Sequence, residues 1–209
     1  MKKLLHIIAT PRQEESRTLK ISNAFIKHLK EKNMPYTIDE LNLYNAKLPE
    51  LTIKRIDGKY LLLGGKELKG EYKSAWLEIE NLIKGFSSND AYLLSAPMWN
   101  FGIPYILKQY IDIIVQPGYL FRYTEKGPEG LLKDKKMAII TSRGGDYSQN
   151  SPFRIYDHQE PYLKTVFGFI GIRDIVFINA EPMDALGPEI EKQKIDEAIF
   201  RAKKIAETF

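Results

Sequence analysis

Short apolar runs take turns with amphipathic stretches along this chain, and that alternation restricts the fold more than any other feature. Runs of strand character, most too short for a helix, stand at residues 4–9, 35–43, 91–94, 136–142 and 174–180. Between them, apolar residues recur at helical spacing. One set is Ile21, Ala24, Phe25 and Leu29, with Ile26 widening the stripe. Others are Ala75, Trp76, Ile79, Leu82 and Ile83; Ile106, Leu107, Tyr110, Ile111 and Ile114; and Tyr162, Val166, Phe167 and Ile170. A last amphipathic segment fills 188–208. Strand followed by helix, five times over, predicts one α/β domain across residues 1–209, with a parallel sheet and right-handed crossovers.

The turns punctuate this pattern. Gln116-Pro117-Gly118 ends one helix, and Gly171 provides a left-handed stop for another. Residues 119–131 alternate aromatics with later glycines, predicting a short β excursion. Residues 44–70 carry Pro49, Gly58, Gly64, Gly65 and Gly70 among lysines and glutamates, and read as a long excursion with one short helix. Residues 146–152 read as polar and mobile.

Three strand ends draw attention. Residues 90–101 open as a buried strand and stop at Pro97, which fixes its own φ and pushes Ala96 toward extended geometry. Met98, Trp99, Asn100 and Phe101 follow: a thioether, two flat aromatics and an amide. Loops leaving the carboxyl ends of parallel strands are where open α/β sheets bind ligands. An aromatic loop there suits a large flat ligand, or Trp99 and Phe101 are simply core. Ser16-Arg17-Thr18 opens a helix, where hydroxyls and free N–H groups serve either as a cap or as an anion site. Ser142-Arg143-Gly144-Gly145 ends another strand, with glycines that permit either close backbone approach or an ordinary turn.

Other chemistries find no support. Neither a dinucleotide glycine fingerprint nor a P-loop occurs. The chain has no cysteine, which removes thiolate chemistry and disulfides and fits the cytoplasm. Its only histidines, His6, His28 and His158, fall on a strand, a helix and a loop, and read as structural or surface groups. No metal cluster is expected. The net charge of +4 comes from interspersed acids and bases, which fits a mixed solvated surface rather than a nucleic-acid stripe. No apolar run reaches the roughly 18 residues of a membrane span. Residues 1–9 mimic a leader in outline, but their apolar part is short and no small-residue cleavage site follows, so they read as the first strand.

Taken together, Pro97-Met98-Trp99-Asn100-Phe101, Phe121-Arg122-Tyr123-Thr124 with residues 127–131, Thr141-Ser142-Arg143-Gly144-Gly145 and Phe167-Gly168-Phe169-Ile170-Gly171-Ile172 resemble the FMN-dependent NADH-azoreductases, also called NADH:quinone oxidoreductases. The resemblance covers nearly the whole chain apart from residues 44–70. It implies a flavodoxin-like three-layer sandwich with sheet order 2-1-3-4-5. It also implies tightly bound FMN, NADH or NADPH as donor, quinones or azo compounds as acceptors, ping-pong kinetics and a homodimer with FMN at the subunit interface. Position by position, Thr10, Ser16, Arg17 and Thr18 match the phosphate loop. Pro97, Met98, Trp99, Asn100 and Phe101 match the flavin-edge loop. Ser142, Arg143, Gly144 and Gly145 match the second flavin loop. Tyr123 and Phe169 match aromatics of the acceptor pocket, Phe169 from the other subunit. Thr10-Pro11-Arg12 departs from the family's serine-rich first loop, Trp99 is often Tyr, and Tyr147 stands where some members have His. The rival reading is a flavodoxin-like electron carrier or FMN-binding regulatory module without turnover; a carrier usually needs an acidic docking face, which a net basic chain argues against.

Overall fold

The computed structural model describes residues 1–209. Its main sheet contains five parallel strands: β1 (Lys2–Ile8), β2 (Tyr36–Asn42), β3 (Ala91–Ser95), β6 (Lys136–Ser142) and β7 (Asp174–Ala180). Two more, β4 (Phe121–Thr124) and β5 (Gly127–Gly130), pair antiparallel as a separate hairpin. The sheet order is therefore β2-β1-β3-β6-β7. The expected numbering 2-1-3-4-5 changes because the excursion at 119–131 forms its own strands before the chain returns to the sheet. The helices are α1 (Arg17–Glu31), α2 (Ile53–Leu63), α3 (Gly70–Ser87), α4 (Tyr105–Ile114), α5 (Glu160–Phe169) and α6 (Pro188–Ala206).

Alternation along the strands sends side chains to two faces. Leu5, Ile7, Tyr92, Leu94, Met137 and Ile139 pack under α3, α4 and α5. Leu4, Ala91, Leu93, Ala138, Ile140 and Ile178 pack under α1 and α6. Small residues on α6, Ala198, Ala202 and Ala206, bring that helix close to its neighbours.

The excursion at 44–70 contains the single helix expected, now located as α2. It is seated on α3 by a tight contact: a Cβ on Gly58 would lie 2.2 Å from Trp76 Nε1, so only glycine fits. Trp76 Nε1 donates to the Arg55 carbonyl at 3.0 Å. Residues 146–152, read from sequence as mobile, are tied down by local bonds. Asp146 accepts from Ser148 N at 2.9 Å, and Ser151 Oγ donates to Asp146 O at 2.7 Å. Gly171, at φ +108°, closes α5 as read from the sequence. Its N–H bonds Gly168 O while Ile172 N–H bonds Phe167 O, each at 3.0 Å.

Candidate functional site

The loops after β1, β3 and β6 meet at the carboxyl edge of the sheet. They enclose a cavity of about 190 Å³. Of the residues singled out from sequence, Thr10, Ser16, Arg17, Thr18, Pro97, Met98, Trp99, Ser142, Arg143 and Gly144 line it. Asn100 lines a neighbouring trough of about 850 Å³ together with Trp99. Phe101 and Gly145 line a third hollow of about 310 Å³ with Tyr147, Phe153 and Tyr156.

The floor of the first cavity is the N-terminus of α1. Ser16 caps it, its Oγ accepting from Leu19 N at 3.3 Å. Arg17 N–H and Thr18 N–H meet no acceptor in the chain, as the first turn of a helix requires. The Thr18 and Ser142 hydroxyls lie 2.8 Å apart, joining the helix to β6. With the positive end of the helix dipole, these groups make an anion cradle. The Arg17 guanidinium is already engaged, with Asp184 at 2.6 Å and Glu191 at 2.7 Å. Burial opposes its charge, but those two carboxylates outweigh burial and hold it more firmly protonated than usual. Asp184, unmarked in the sequence, and Arg12, noted there only as part of a departure in the first loop, complete the lining.

The loop after β3 is pinned at several points. Ala96 N–H bonds Ile140 O at 3.0 Å, Met98 N–H bonds Ser142 O at 2.9 Å, and Trp99 and Gly102 bond each other at 3.0 Å. His158 N–H donates to Phe101 O at 3.0 Å. Asn100 and Phe101 adopt left-handed backbones, φ +46° and +69°, and their N–H groups have no acceptor in the chain. In the loop after β6, Gly144 O accepts from Met183, Asp184 and Ala185, while the N–H groups of Gly144 and Gly145 are unpaired. A Cβ on Gly144 would lie 2.8 Å from Asp184 Oδ2, the end of an exposed side chain that would have to swing aside.

Arg143 departs from its expected place. Its backbone lines the cavity, but its side chain is fully buried, turned into the protein toward Asp157, Gln159, Glu160 and Glu181. Burial pushes the Glu181 carboxyl up, helped by nearby Asp146 and Asp157 and opposed by Arg143 and the Tyr147 N–H. Burial also pushes at Glu160, but hydrogen bonds from Lys164 and Asn179 and the charges of Lys164 and Arg143 win, so its carboxyl sits below the ordinary range. Gln159 was missed because a lone glutamine ahead of a helix carries no pattern.

Tyr123 and Phe169 line none of the three cavities. Both pack on Phe121, at ring-centroid distances of 5.7 and 4.6 Å, beside the β4–β5 hairpin. Tyr123 is 64% exposed.

Comparison with known proteins agrees with this geometry. Residues 2–206 match the flavodoxin-like fold family. An FMN-dependent NADH:quinone oxidoreductase of Nitratidesulfovibrio vulgaris is 35% identical over 209 residues, covering all of both chains. FMN-dependent NADH:quinone oxidoreductase 2 of Clostridium perfringens is 39% identical over 210 residues, again end to end. Among solved structures, an azoreductase from Bacillus anthracis superposes with a TM-score of 0.89 at 30% identity over the full length of both. An FMN-dependent NADH-azoreductase of the same species in complex with FMN gives 0.84 at 30% identity, covering 99% of this chain and all of that one.

Proposed function

The chain belongs to the flavodoxin-like family, alongside the FMN-dependent NADH:quinone oxidoreductases and azoreductases, and from that premise we propose that it is an oxidoreductase that binds FMN, takes reducing equivalents from NADH and passes them to quinones or azo compounds. The observation that carries this reading is the set of unpaired donors on three loops around one edge of the sheet: Arg17 and Thr18, Asn100 and Phe101, Gly144 and Gly145. These residues fit FMN. Thr10, Ser16, Thr18 and the α1 N-terminus would hold the phosphate. The loops at 97–101 and 142–145 would hold the ring, Trp99 and Phe101 lending flat apolar surface and the glycine N–H groups opposing negative charge on the reduced ring. When bound, FMN supplies two-electron hydride chemistry, and the protein supplies binding, orientation and electrostatics. NADH and the acceptor would use the same face in turn, which gives ping-pong kinetics.

The acceptor pocket needs a second copy of the chain in this reading. Tyr123 and Phe169 sit away from the three cavities at the sheet edge of their own chain, so they would serve the partner's site in a homodimer. Exposed apolar residues support this: Trp99, Phe101 and Tyr105 near the site, Tyr123 on the β4–β5 hairpin, and Ile53, Ile56, Tyr60 and Leu63 along α2. The whole of residues 1–209 acts as one unit, cytoplasmic in location. No helix is long and apolar enough to cross a membrane.

Anaerobic addition of NADH to the yellow protein tests the function directly. The flavin absorption should bleach, and a quinone should restore it. A protein that takes up no FMN, or whose flavin is inert to NADH, overturns the proposal; the second result would favour a carrier or regulatory module. Light scattering should give about twice the 24.2 kDa chain mass, and a monomer that still turns over quinone would refute the shared pocket.

A further inference from the structure

Arg143 lies fully buried behind the loop that its backbone helps to form. Its Nε donates to Gln159 Oε1 at 3.3 Å and its Nη1 to Asp157 Oδ2 at 3.1 Å. Glu160 and Glu181 stand at 3.7 and 3.6 Å, and Nη2 has no hydrogen-bond partner. A buried ion cluster is weak evidence of a stabilising role, because desolvation offsets its attraction. What this one grips is loop backbone. Gln159, also fully buried, donates through Nε2 to the carbonyls of Ala96 at 3.2 Å and Pro97 at 3.0 Å. Glu181 accepts the Tyr147 N–H at 2.9 Å. Arg154, paired with Asp157 at 3.0 Å, donates to the Tyr147 carbonyl at 3.1 Å.

We propose that Arg143 and Gln159 are positioning residues that set the peptide orientation of the flavin-edge loop without touching the flavin themselves. With the Pro97 carbonyl turned inward to Gln159 and Met98 N–H given to Ser142, the donors left over are Asn100 N–H and Phe101 N–H. Those two residues hold left-handed backbones that a side chain disfavours, so the surroundings must impose them. The same short segment does so from both ends: Gln159 grips residues 96 and 97, and its neighbour His158 grips residue 101. Arg143 orients the Gln159 amide, since its Nε can bond only the oxygen and thereby aims the nitrogen at the loop. This inference rests on the FMN reading above.

The test uses Gln159→Leu, which removes both loop bonds, and Gln159→Glu, which keeps an acceptor for Arg143 but sets carboxylate oxygens against two carbonyls. Dissociation constants for FMN and for riboflavin come from flavin fluorescence, stability from melting of the flavin-free protein, and the midpoint potential from the bound FMN. Riboflavin lacks the phosphate, so the ratio of the two constants reports the cradle alone. Both variants should weaken FMN and riboflavin by the same factor, about ten-fold or more, with the ratio unchanged. The flavin-free protein should melt within a few degrees of wild type in at least one variant, and the midpoint potential should move, because the loop donors face the oxidised and reduced ring differently. Unchanged affinities and potential would overturn the proposal, as would a loss confined to FMN, which would assign Gln159 to the cradle. A large drop in melting temperature with affinity kept would make Gln159 merely structural. Wild-type protein that binds neither flavin would remove the FMN reading itself, and this inference with it.

Discussion

The two faces of the sheet are built from different materials. Under α3 and α4 the packing is apolar, with Tyr92 OH donating to Phe86 O at 2.9 Å, and polar groups enter that face at the first turn of α5, where Glu160 Oε2 accepts from Asn179 Nδ2 at 3.1 Å. Under α1 and α6 the packing starts apolar at Leu4, Ala91 and Ala138 but turns polar toward the carboxyl edge. There His6 Nε2 meets Ser95 Oγ at 2.8 Å, Ser95 meets Ser22 Oγ at 2.5 Å, and Ser22 donates to Thr18 O at 3.0 Å. Thr18 and Ser142 then deliver hydroxyls to the cradle. The contrast suggests a division of labour: the packing under α3 and α4 holds the fold together, and the face under α1 gives up some apolar burial to organise a ligand site. If so, substitutions on the two faces should separate stability from affinity.

The largest effect belongs to the apolar face. Trp76 is fully buried, seated against Gly58 and stacked on Tyr119 at 6.2 Å. Trp76→Ala should cost about 3–5 kcal/mol in urea unfolding, the range for emptying a large aromatic site. FMN affinity of the folded fraction should stay within about two-fold, since Trp76 meets Gly58, the Arg55 carbonyl and Tyr119, which lie outside the cradle. An affinity loss that tracks the stability loss would break the division between faces.

Next comes the acid response of the polar seam. Burial pushes the His6 pKa down to about 4, only partly offset by Glu40 at 3.6 Å. A folded pKa below the unfolded 6.5 means that the unfolded chain takes up the proton first. Above pH 6.5 both states are neutral and nothing is lost; as pH falls from 6.5 toward 4, the protein should lose about 3 kcal/mol from this residue. His6→Gln can still bond Ser95 but cannot titrate, so its stability should fall less over that window. Parallel curves for the two proteins in urea titrations at pH 7, 5.5 and 4 would contradict this.

How much of this was legible beforehand follows the same divide. Period-two and helical spacing depend on burial, so strands such as 136–142 and 174–180 could be read to the residue, and Trp76 was recognisable as core. The three loops stood out because proline, glycine and hydroxyl residues gather after strands, where open sheets bind ligands, but each also admitted a core, cap or turn reading, and only the resemblance joined them into one site. Side-chain direction was not. Arg143 sits in a ligand-facing loop by sequence, yet points inward because residues 157–181, far along the chain, supply its carboxylates. The polar seam escaped for a related reason: His6, Ser22 and Ser95 are each unremarkable alone, and only the packing of α1 over β1 and β3 brings them together.

On the cradle itself, Ser16→Ala with Thr18→Ala should weaken FMN by about ten-fold or more, because hydrogen bonds to a charged group are worth roughly 1.5–3 kcal/mol each. Riboflavin affinity should change much less. Losing the Ser16 cap will also cost about 1 kcal/mol of stability, so affinity must be compared at temperatures where both proteins are fully folded. Equal losses for FMN and riboflavin would move the phosphate elsewhere.

The smallest effect sharpens the role of Arg17. Asp184 puts a carboxylate on the rim of the cradle, 64% exposed by side chain and 2.6 Å from the Arg17 guanidinium. A phosphate arriving there would face that charge, while Arg17 would still be held by Glu191 at 2.7 Å. Exposed ion pairs contribute little to stability, so Asp184→Asn should cost under about 1 kcal/mol. It should tighten FMN by a few-fold at low salt, through lost repulsion and an arginine freer to turn inward. The gain should shrink as salt rises, since screening acts over about 8–10 Å at these ionic strengths. Riboflavin, without the phosphate, should be indifferent. The opposite outcome is equally informative: weaker FMN binding in Asp184→Asn would mean that Asp184 steers Arg17 into place, making the ion pair part of the cradle's construction rather than a competitor for it.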